Sequence, residues 1–189
     1  MVTYLPSGRP LRGEFADYGT ADVELVQGDD AVAALVRQRQ LTLELFERFG
    51  EDRGLLTYAA AKWTVKGIIG HLADDERIYA YRALCIARGD TRPLPGFDEN
   101  AYASAAPFDS RSMRDLLEDY ESVRNASITL FRGLDSEGWL RRGIVNGHKV
   151  TPRGLAFHIA GHELHHHRIV RERYLPLLDA GPRGSAPAR

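Results

Sequence analysis

The chain has 189 residues, 43% of them hydrophobic and 27% charged, which is typical of one soluble globular domain with a sizeable core. Its 25 basic and 26 acidic residues give a formal net charge of −1, so neither a nucleic-acid partner nor a membrane-surface role is expected. No apolar run is long enough to span a bilayer or to form a signal-peptide core at the first residues.

The chain begins with residues 1–27, which are predicted to be an irregular N-terminal segment because prolines and glycines punctuate them. Within this segment, only residues 21–26 are candidates for a short extended piece or turn. The first helix is expected with Asp29 or Asp30 as its N-cap and an end near residue 49. Its inward face follows helical spacing and contains Leu35, Gln38, Leu41, Thr42, Leu45 and Phe49.

A second helix is predicted from about residue 65, behind the N-cap Thr64, to about residue 88. Its apolar stripe contains Val65, Ile68, Leu72, Tyr79, Ala83 and Ile86. His71 lies on the flank of this stripe, and Asp75 follows one turn later. Residues 89–108 hold three prolines among polar residues and are expected to form a long loop, of a length that is often a lid or a crossover.

The third helix is predicted from Ser110 or Ser112 to about residue 133. Its helical period is carried by Met113, Leu116, Leu117, Tyr120, Val123, Ser127, Leu130 and Phe131. Residues 135–142 are expected to form a turn that bears Trp139.

The last part of the chain is predicted to hold a hairpin, a helix and a tail. Asn146 followed by Gly147 favours a small hairpin over residues 143–150. Thr151 and Pro152 are typical of a helix start, and the fourth helix is expected to reach about residue 174. Residues 176–189 are predicted to be a flexible tail.

Four helices of about 20 residues each, with no long strand predicted, indicate an all-α protein built as a four-helix bundle over residues 28–175. The long loop after the second helix leaves room for a crossover, so the helices need not alternate simply up and down.

Five of the seven histidines fall between residues 158 and 167. His158, His162 and His166 recur at four-residue steps and therefore share one helix face. His162 and His166 lie along the apolar side, where buried imidazoles need partners and a divalent cation would satisfy both. The best candidate for a third ligand is His71, because no other histidine lies within another predicted helix. Three imidazoles suit Zn, Ni or Fe, and three protein ligands leave positions open for water or substrate.

The neighbouring side chains allow several interpretations. Asp75 is a candidate to orient His71 or to act as a catalytic base, and equally a solvated surface carboxylate. His158 is a candidate ligand, an outer partner or a bystander, whereas His165 and His167 are expected to be solvated or to lie outside the ligand shell. Glu163 faces about 100° away from His162 and is expected to be an outer or surface group. Three residues of the second helix are candidates to line a pocket: Tyr79, Tyr81 and Arg82.

Residues 162–166 also match the HExxH pattern of zinc metalloproteases. The extended metzincin pattern would require a glycine and a histidine where the chain has Ile169 and Glu172. No sheet edge for a peptide substrate is expected either, so the protease interpretation is not favoured.

The single cysteine, Cys85, cannot form an internal disulfide, so a reducing cytoplasm is the predicted location. Its apolar neighbours Leu84 and Ile86 favour a buried structural thiol over a nucleophile.

Two separated motifs resemble the DinB/YfiT-like family. Residues 62–77 (KWTVKGIIGHLADDER) resemble its second-helix region, and residues 161–166 (GHELHH) resemble its last bundle helix. Residues 88–98 between them are similar to its long loop, and the likeness covers about residues 28–175. The resemblance implies an up-down-down-up four-helix bundle, often a homodimer, with a divalent metal held at the positions of His71, His162 and His166. It also implies thiol-dependent transferases, isomerases and metal-dependent hydrolases as relatives.

We therefore expect a divalent-metal-dependent enzyme that acts on a small molecule. It would be either a thiol-dependent S-transferase, with a low-molecular-weight thiol as a second cofactor, or a hydrolase that uses the metal to activate water. The alternative is a non-enzymatic, stress-related bundle protein whose metal is structural.

Overall fold

Four long helices carry most of the structure. The computed structural model describes residues 8–179, so the final ten residues of the predicted tail lie outside the described residues. The elements follow in this order: α1 (Thr20–Leu25), α2 (Ala31–Glu47), α3 (Val65–Ala87), α4 (Glu99–Ala105), α5 (Met113–Arg132), α6 (Ser136–Leu140), β1 (Gly143–Val145), β2 (His148–Val150), α7 (Pro152–Ile169) and α8 (Leu175–Asp179). A π-helical turn, Val170–Tyr174, joins α7 to α8.

Each long helix begins at a capping side chain, as the sequence predicted. The side chains that accept a hydrogen bond from a backbone N–H in the first turn are Asp30 of α2, Thr64 of α3, Ser112 of α5 and Thr151 of α7. These caps satisfy N–H groups that a helix start leaves without a partner. The four predicted helices are therefore confirmed, and their ends differ from the predicted ones by a few residues.

Four short helices, α1, α4, α6 and α8, correct the sequence interpretation. The N-terminal segment is not irregular throughout, because it contains a 3₁₀ turn, Asp17–Gly19, followed by α1. The long loop contains α4, which forms because the Asp98 side chain accepts hydrogen bonds from the first backbone N–H groups of the helix. The turn expected at residues 135–142 contains α6, and residues 176–179 of the predicted tail belong to α8.

The bundle has an up-down-down-up topology rather than a simple alternation. Helix α3 packs mainly against α5 and α7, and α2 packs against the same two helices. The consecutive helices α2 and α3 therefore lie at diagonal corners. The long connection after α3 returns the chain to the end at which α3 began, so that α5 runs alongside α3.

The bundle core is divided into two apolar clusters by a layer of buried polar side chains. One cluster joins the first half of α2, the second half of α3 and the first half of α7. The other joins the second half of α2, the first halves of α3 and α5, and the π-helical turn. The polar layer contains Gln38, Thr42, Glu76, Arg124, Ser127, Glu163 and His167. Among the predicted inward positions of α2, Leu41 is an exception, since it is 45% exposed.

The predicted hairpin is present at one end of the bundle. Strands β1 and β2 pair antiparallel, with Ile144 opposite Lys149, and the turn places both Asn146 and Gly147 at positive φ. These are the residue types that a two-residue hairpin turn favours. A bridge between Leu94 and Val145 attaches the long loop to this hairpin. Within residues 8–179, none of the helices combines the length and apolar character needed to cross a membrane.

Candidate metal centre

Three histidines from two helices bring their ring nitrogens together. Helix α3 supplies His71, and α7 supplies His162 and His166. The Nε2 atom of His162 lies 3.3 Å from Nε2 of His71 and 3.1 Å from Nε2 of His166. Nitrogen ligands at about 2.0–2.1 Å from a tetrahedral ion lie about 3.3 Å apart, so the spacing fits a divalent metal. The structure thus brings together the three histidines that the sequence singled out.

The carboxylate of Asp75 faces His162, not His71. Its Oδ2 atom lies 3.3 Å from Nδ1 of His162, and its side chain is 7% exposed. With the ring proton on Nδ1, this contact leaves the lone pair of Nε2 pointing into the cluster. Such carboxylate–histidine pairs orient metal ligands and raise their basicity. Asp75 therefore orients His162 of α7, and not His71 of its own helix as expected from the sequence.

The ring environments set the charge of the cluster. Burial, together with His162, lowers the pKa of His71 to about 4, and burial also lowers the pKa of His166 well below its ordinary value. Burial alone would lower the pKa of His162 too, but the Asp75 carboxylate outweighs it and raises that pKa. Two rings are thus neutral at neutral pH, the form that binds metals, and the third is the more basic donor.

An indole ring covers the cluster from the side of the α3 N-terminus. The Trp63 ring lies 4.5 Å from the ring of His71 and 6.1 Å from the ring of His166, centroid to centroid. The Tyr174 hydroxyl, on the π-helical turn, donates a 2.7 Å hydrogen bond to the Trp63 carbonyl and anchors this segment. Within residues 8–179, the buried Nδ1 atom of His166 has no hydrogen-bond partner. Sequence reasoning missed Trp63, although its position directly before the N-cap Thr64 was a usable signal.

The cluster forms one wall of a pocket of about 410 Å³, a size that suits a small molecule. Helices α3 and α7 form its floor, and residues of α1, the long loop and the hairpin turn surround its mouth. Besides the three histidines and Asp75, the lining residues are Tyr18, Asp22, Trp63, Tyr79, Arg82, Gly96, Phe97, Glu99, Asn146, His158 and His165. Of the predicted pocket residues, Tyr79 and Arg82 line it, whereas Tyr81 is 58% exposed and lies outside.

His158 lies one turn before His162 but does not join the three converging nitrogens. Its ring stacks on Tyr79 with the centroids 4.1 Å apart and 17° between the planes. It also stacks on His162 at 5.7 Å. The structure therefore places His158 on the pocket floor, beside the candidate ligands.

His165 lines the pocket next to the cluster. Its Nδ1 atom lies 3.5 Å from Oδ1 of Asp22, and its ring centroid lies 5.5 Å from that of His166. Asp22 reaches this position because α1 crosses α7 at Gly161, where any Cβ atom would collide with the Asp22 carbonyl. This pair was not predicted from the sequence, because α1 was not predicted.

Glu163 points away from the pocket into the polar layer of the core. It is 1% exposed and accepts hydrogen bonds from Thr42 at 2.6 Å, from Arg124 at 2.9 Å and from Tyr120. Burial alone would raise the pKa of Glu163, but Arg124 outweighs it and lowers that pKa. The expectation of a surface group is wrong, because Arg124 supplies a buried counter-charge. An HExxH protease needs this glutamate beside the metal as a base, which this position excludes.

His167 is also buried, so the expectation of a solvated ring is wrong. It is 1% exposed, and its Nε2 atom lies 2.7 Å from the Thr42 hydroxyl. Arg124 ties the layer together, because it also donates three hydrogen bonds of 2.8–3.0 Å to Glu76. The remaining candidate, Cys85, is half-buried and is not part of the pocket.

Comparisons with known proteins identify a family and a similar fold. A family model described as the DinB superfamily matches residues 34–170. The structure of YfiT from Bacillus subtilis is similar, with a TM-score of 0.67 and 17% identity over 75% of this chain and 85% of that chain. YfiT is described as a probable metal-dependent hydrolase with an unusual four-helix bundle topology. No curated protein matches the chain.

Proposed function

The chain belongs to the DinB superfamily, and we propose that it is a divalent-metal-dependent enzyme acting on a small molecule. The observation that carries the proposal is the convergence of three Nε2 atoms on the wall of a pocket. A cation held there would supply Lewis-acid chemistry and lower the pKa of a water or thiol that enters.

In this proposal the chain's own residues hold the site in shape. His71, His162 and His166 are the three ligands, and Asp75 fixes the tautomer of His162. Trp63 covers the rings of His71 and His166 and keeps bulk water away from that side.

The proton acceptor that we propose is His165. Although burial favours the protonated form of Asp75, the neighbouring His162 lowers the pKa of Asp75 to about 2, so Asp75 is a poor base at neutral pH. His165 lines the pocket and has the Asp22 carboxylate behind its Nδ1 atom. The carboxylate would stabilise the charged imidazolium after His165 takes a proton from the attacking group.

Hydrolysis is the reaction that we favour. A His–Asp pair beside a Lewis-acid site is suited to removing a proton from an attacking water, and the description of YfiT as a probable hydrolase supports the same choice. In thiol transfer, the second candidate, His165 would take the proton from a small thiol instead. The same residues thus serve both reactions, and an assay must separate them.

The test compares the wild-type protein with His71→Ala, each loaded separately with zinc, nickel and iron. We expect wild type to bind about one metal ion and to hydrolyse activated esters, and a second assay follows thiol addition to an electrophile. Removal of one of three ligands should weaken metal affinity by more than about 100-fold, beyond what loss of an outer partner costs, and should abolish turnover.

The matched control is His148→Ala. His148 is an exposed histidine of the hairpin and does not line the pocket. This variant should bind metal and turn over substrate as wild type does. If His71→Ala bound as much metal as wild type, the proposed ligand set would be wrong. If the metal-loaded protein were active only in the thiol assay, the reaction would be thiol transfer and not hydrolysis.

A further inference from the structure

Arg82 is a buried cation at the end of the pocket away from the metal cluster. It is 4% exposed, and its Nη2 atom donates a 2.6 Å hydrogen bond to the Pro95 carbonyl. The guanidinium carbon lies 4.8 Å from the Tyr79 ring centroid and 5.5 Å from that of Phe97. Within the described part of the chain, no Asp or Glu forms an ion pair with Arg82.

Arg124, the other buried arginine of the described residues, shows which partners Arg82 lacks. Arg124 is 1% exposed and pairs with two carboxylates, those of Glu76 and Glu163. A buried charge is costly unless an opposite charge and hydrogen bonds compensate it. Arg82 has one carbonyl and two aromatic faces instead, and it lines a pocket that a solute can enter. An anionic group of a bound molecule would complete its environment.

Arg82 and the metal cluster belong to one continuous surface. His71, Asp75, Tyr79 and Arg82 follow one another along the pocket face of α3. Eleven residues of helix separate the Cα atoms of His71 and Arg82 by about 16 Å, and helical side chains lean towards the N-terminus, so that of Arg82 leans back towards the cluster. The stacked rings of His158 and Tyr79 fill the floor between the two ends. A small elongated molecule can therefore reach both.

The charged side chains around the pocket favour an anion at the Arg82 end and not at the cluster end. Among the described residues that line the pocket, Arg82 is the one Lys or Arg. Of the lining carboxylates, Asp75 faces His162 and Asp22 faces His165, both at the cluster end, while Glu99 is exposed. The planar guanidinium matches a carboxylate, to which it can donate two parallel hydrogen bonds.

We propose that Arg82 binds a carboxylate of the substrate, so that the enzyme acts on molecules with a reactive group at one end and a carboxylate at the other. The inference rests on the proposed function, because it assumes that the reactive end meets the three-histidine cluster. Arg82 then determines specificity and the direction in which the molecule enters.

The experiment uses two probes that differ only in charge at one end. 6-Mercaptohexanoate and 6-mercaptohexanamide carry the same thiol, a good zinc ligand, and only the first carries a carboxylate. Isothermal titration of the zinc-loaded and zinc-free protein measures the affinity of each probe. We expect zinc-loaded wild type to bind the carboxylate about tenfold more tightly than the amide, as a charge-assisted hydrogen bond allows.

Variants then test whether Arg82 causes this preference. In Arg82→Gln the two probes should bind with affinities within about twofold, while zinc affinity and helical content stay at the wild-type level. Arg82→Lys retains a cation without the planar fork and should keep a reduced preference. The control Arg88→Gln removes an exposed charge from the end of the same helix, outside the pocket, and should keep the full preference.

The outcomes distinguish a failure of the carboxylate site at Arg82 from a failure of the proposed metal-dependent function. Equal binding of both probes by wild type, or a carboxylate preference that persists in Arg82→Gln, would overturn the role of Arg82. Probe binding that does not depend on zinc would count against the proposed function, whereas a preference lost in Arg82→Gln would still support Arg82 as the carboxylate site.

Discussion

One short stretch of α7 shows how strongly its surroundings determine what a histidine does. His162 and His166 converge with His71, whereas His158, on the same helix face, stacks on Tyr79 instead. His167 follows His166 directly and is bonded to Thr42 in the core. Spacing alone therefore selects candidates for a ligand set, and the neighbouring side chain that each ring meets decides among them.

We predict that Asp75→Asn weakens metal binding without unfolding the protein. Asparagine keeps the shape but loses the charge that makes His162 the more basic donor. Loss of an outer carboxylate of this kind costs about 10- to 100-fold in metal affinity. Competition with a chromogenic chelator measures the affinity.

Asp74→Asn is the matched control. Asp74 is the preceding residue, and its carboxylate lies near Arg77 and not near the cluster. Its replacement should leave metal affinity within about twofold of wild type, since its partner is the half-exposed Arg77 and not a histidine of the cluster. Equal losses in the two variants would mean that the effect of Asp75 comes from general charge and not from its contact with His162.

The buried residues behind α7 determine which face this helix turns towards the pocket. Glu163 projects about 100° around α7 from His162 and is bonded to residues of α2 and α5, namely Thr42, Tyr120 and Arg124. Arg124 is in turn bonded to Glu76 of α3. All four long helices thus meet in one buried polar layer, and this layer holds His162 and His166 against α3.

From this layer we predict that Arg124→Met is strongly destabilising. The substitution leaves two carboxylates, those of Glu76 and Glu163, buried without their counter-charge. Removing one partner from a buried ion pair costs about 3–5 kcal/mol, so the free energy of unfolding should fall by about that amount. Urea unfolding followed by far-UV circular dichroism measures it.

A variant of the same helix serves as the comparison. Arg114 pairs with Glu118 on the surface, and its side chain is 87% exposed. Arg114→Met should change the free energy of unfolding by less than about 1 kcal/mol. If the two variants lost stability equally, the buried layer would not be a main support of the bundle.

Sequence periodicity and caps predicted the long helices, but they could not predict the polar layer. Thr42 was placed on the inward face of α2, yet nothing in the sequence pairs it with Glu163, 121 positions away. Arg124 and Glu76 look like ordinary surface charges of amphipathic helices until the fold faces them towards each other. Buried ion pairs are set by tertiary proximity, which the spacing along one helix does not reveal.

In the molecule as a whole, the site residues carried by the long bundle helices could be predicted from the sequence. The site residues carried by short helices and loops could not. His71 and His162 lie 91 positions apart, and the bundle that the sequence predicted brings them together. Asp22 reaches the pocket on α1, and Phe97 reaches it on the loop before α4; both short helices were missed. Such helices are stable only when docked, so their local pattern is weak. The homodimer that the family resemblance implies stays a prediction.

We predict that the metal is not needed to hold the bundle together. The two apolar clusters and the polar layer lie outside the three-histidine cluster, whose members come from only two helices, α3 and α7, that already pack together. The metal-free protein should therefore keep its helical content. A bound ion at a concentration of 100 times its Kd still adds about 2.7 kcal/mol by linkage, so the Tm should fall on chelation and recover when zinc is returned.

Thermal unfolding with and without EDTA tests this prediction, with His71→Ala as the control whose Tm should not respond to the chelator. A structural zinc site behaves differently, because its protein unfolds when the metal is withdrawn. Loss of helicity on chelation at room temperature would therefore favour the non-enzymatic alternative, in which the ion serves the fold. If the metal-free bundle stays folded, the helices that carry the ligands keep their places without the cation. The cation is then not required for the fold, which agrees with a catalytic role.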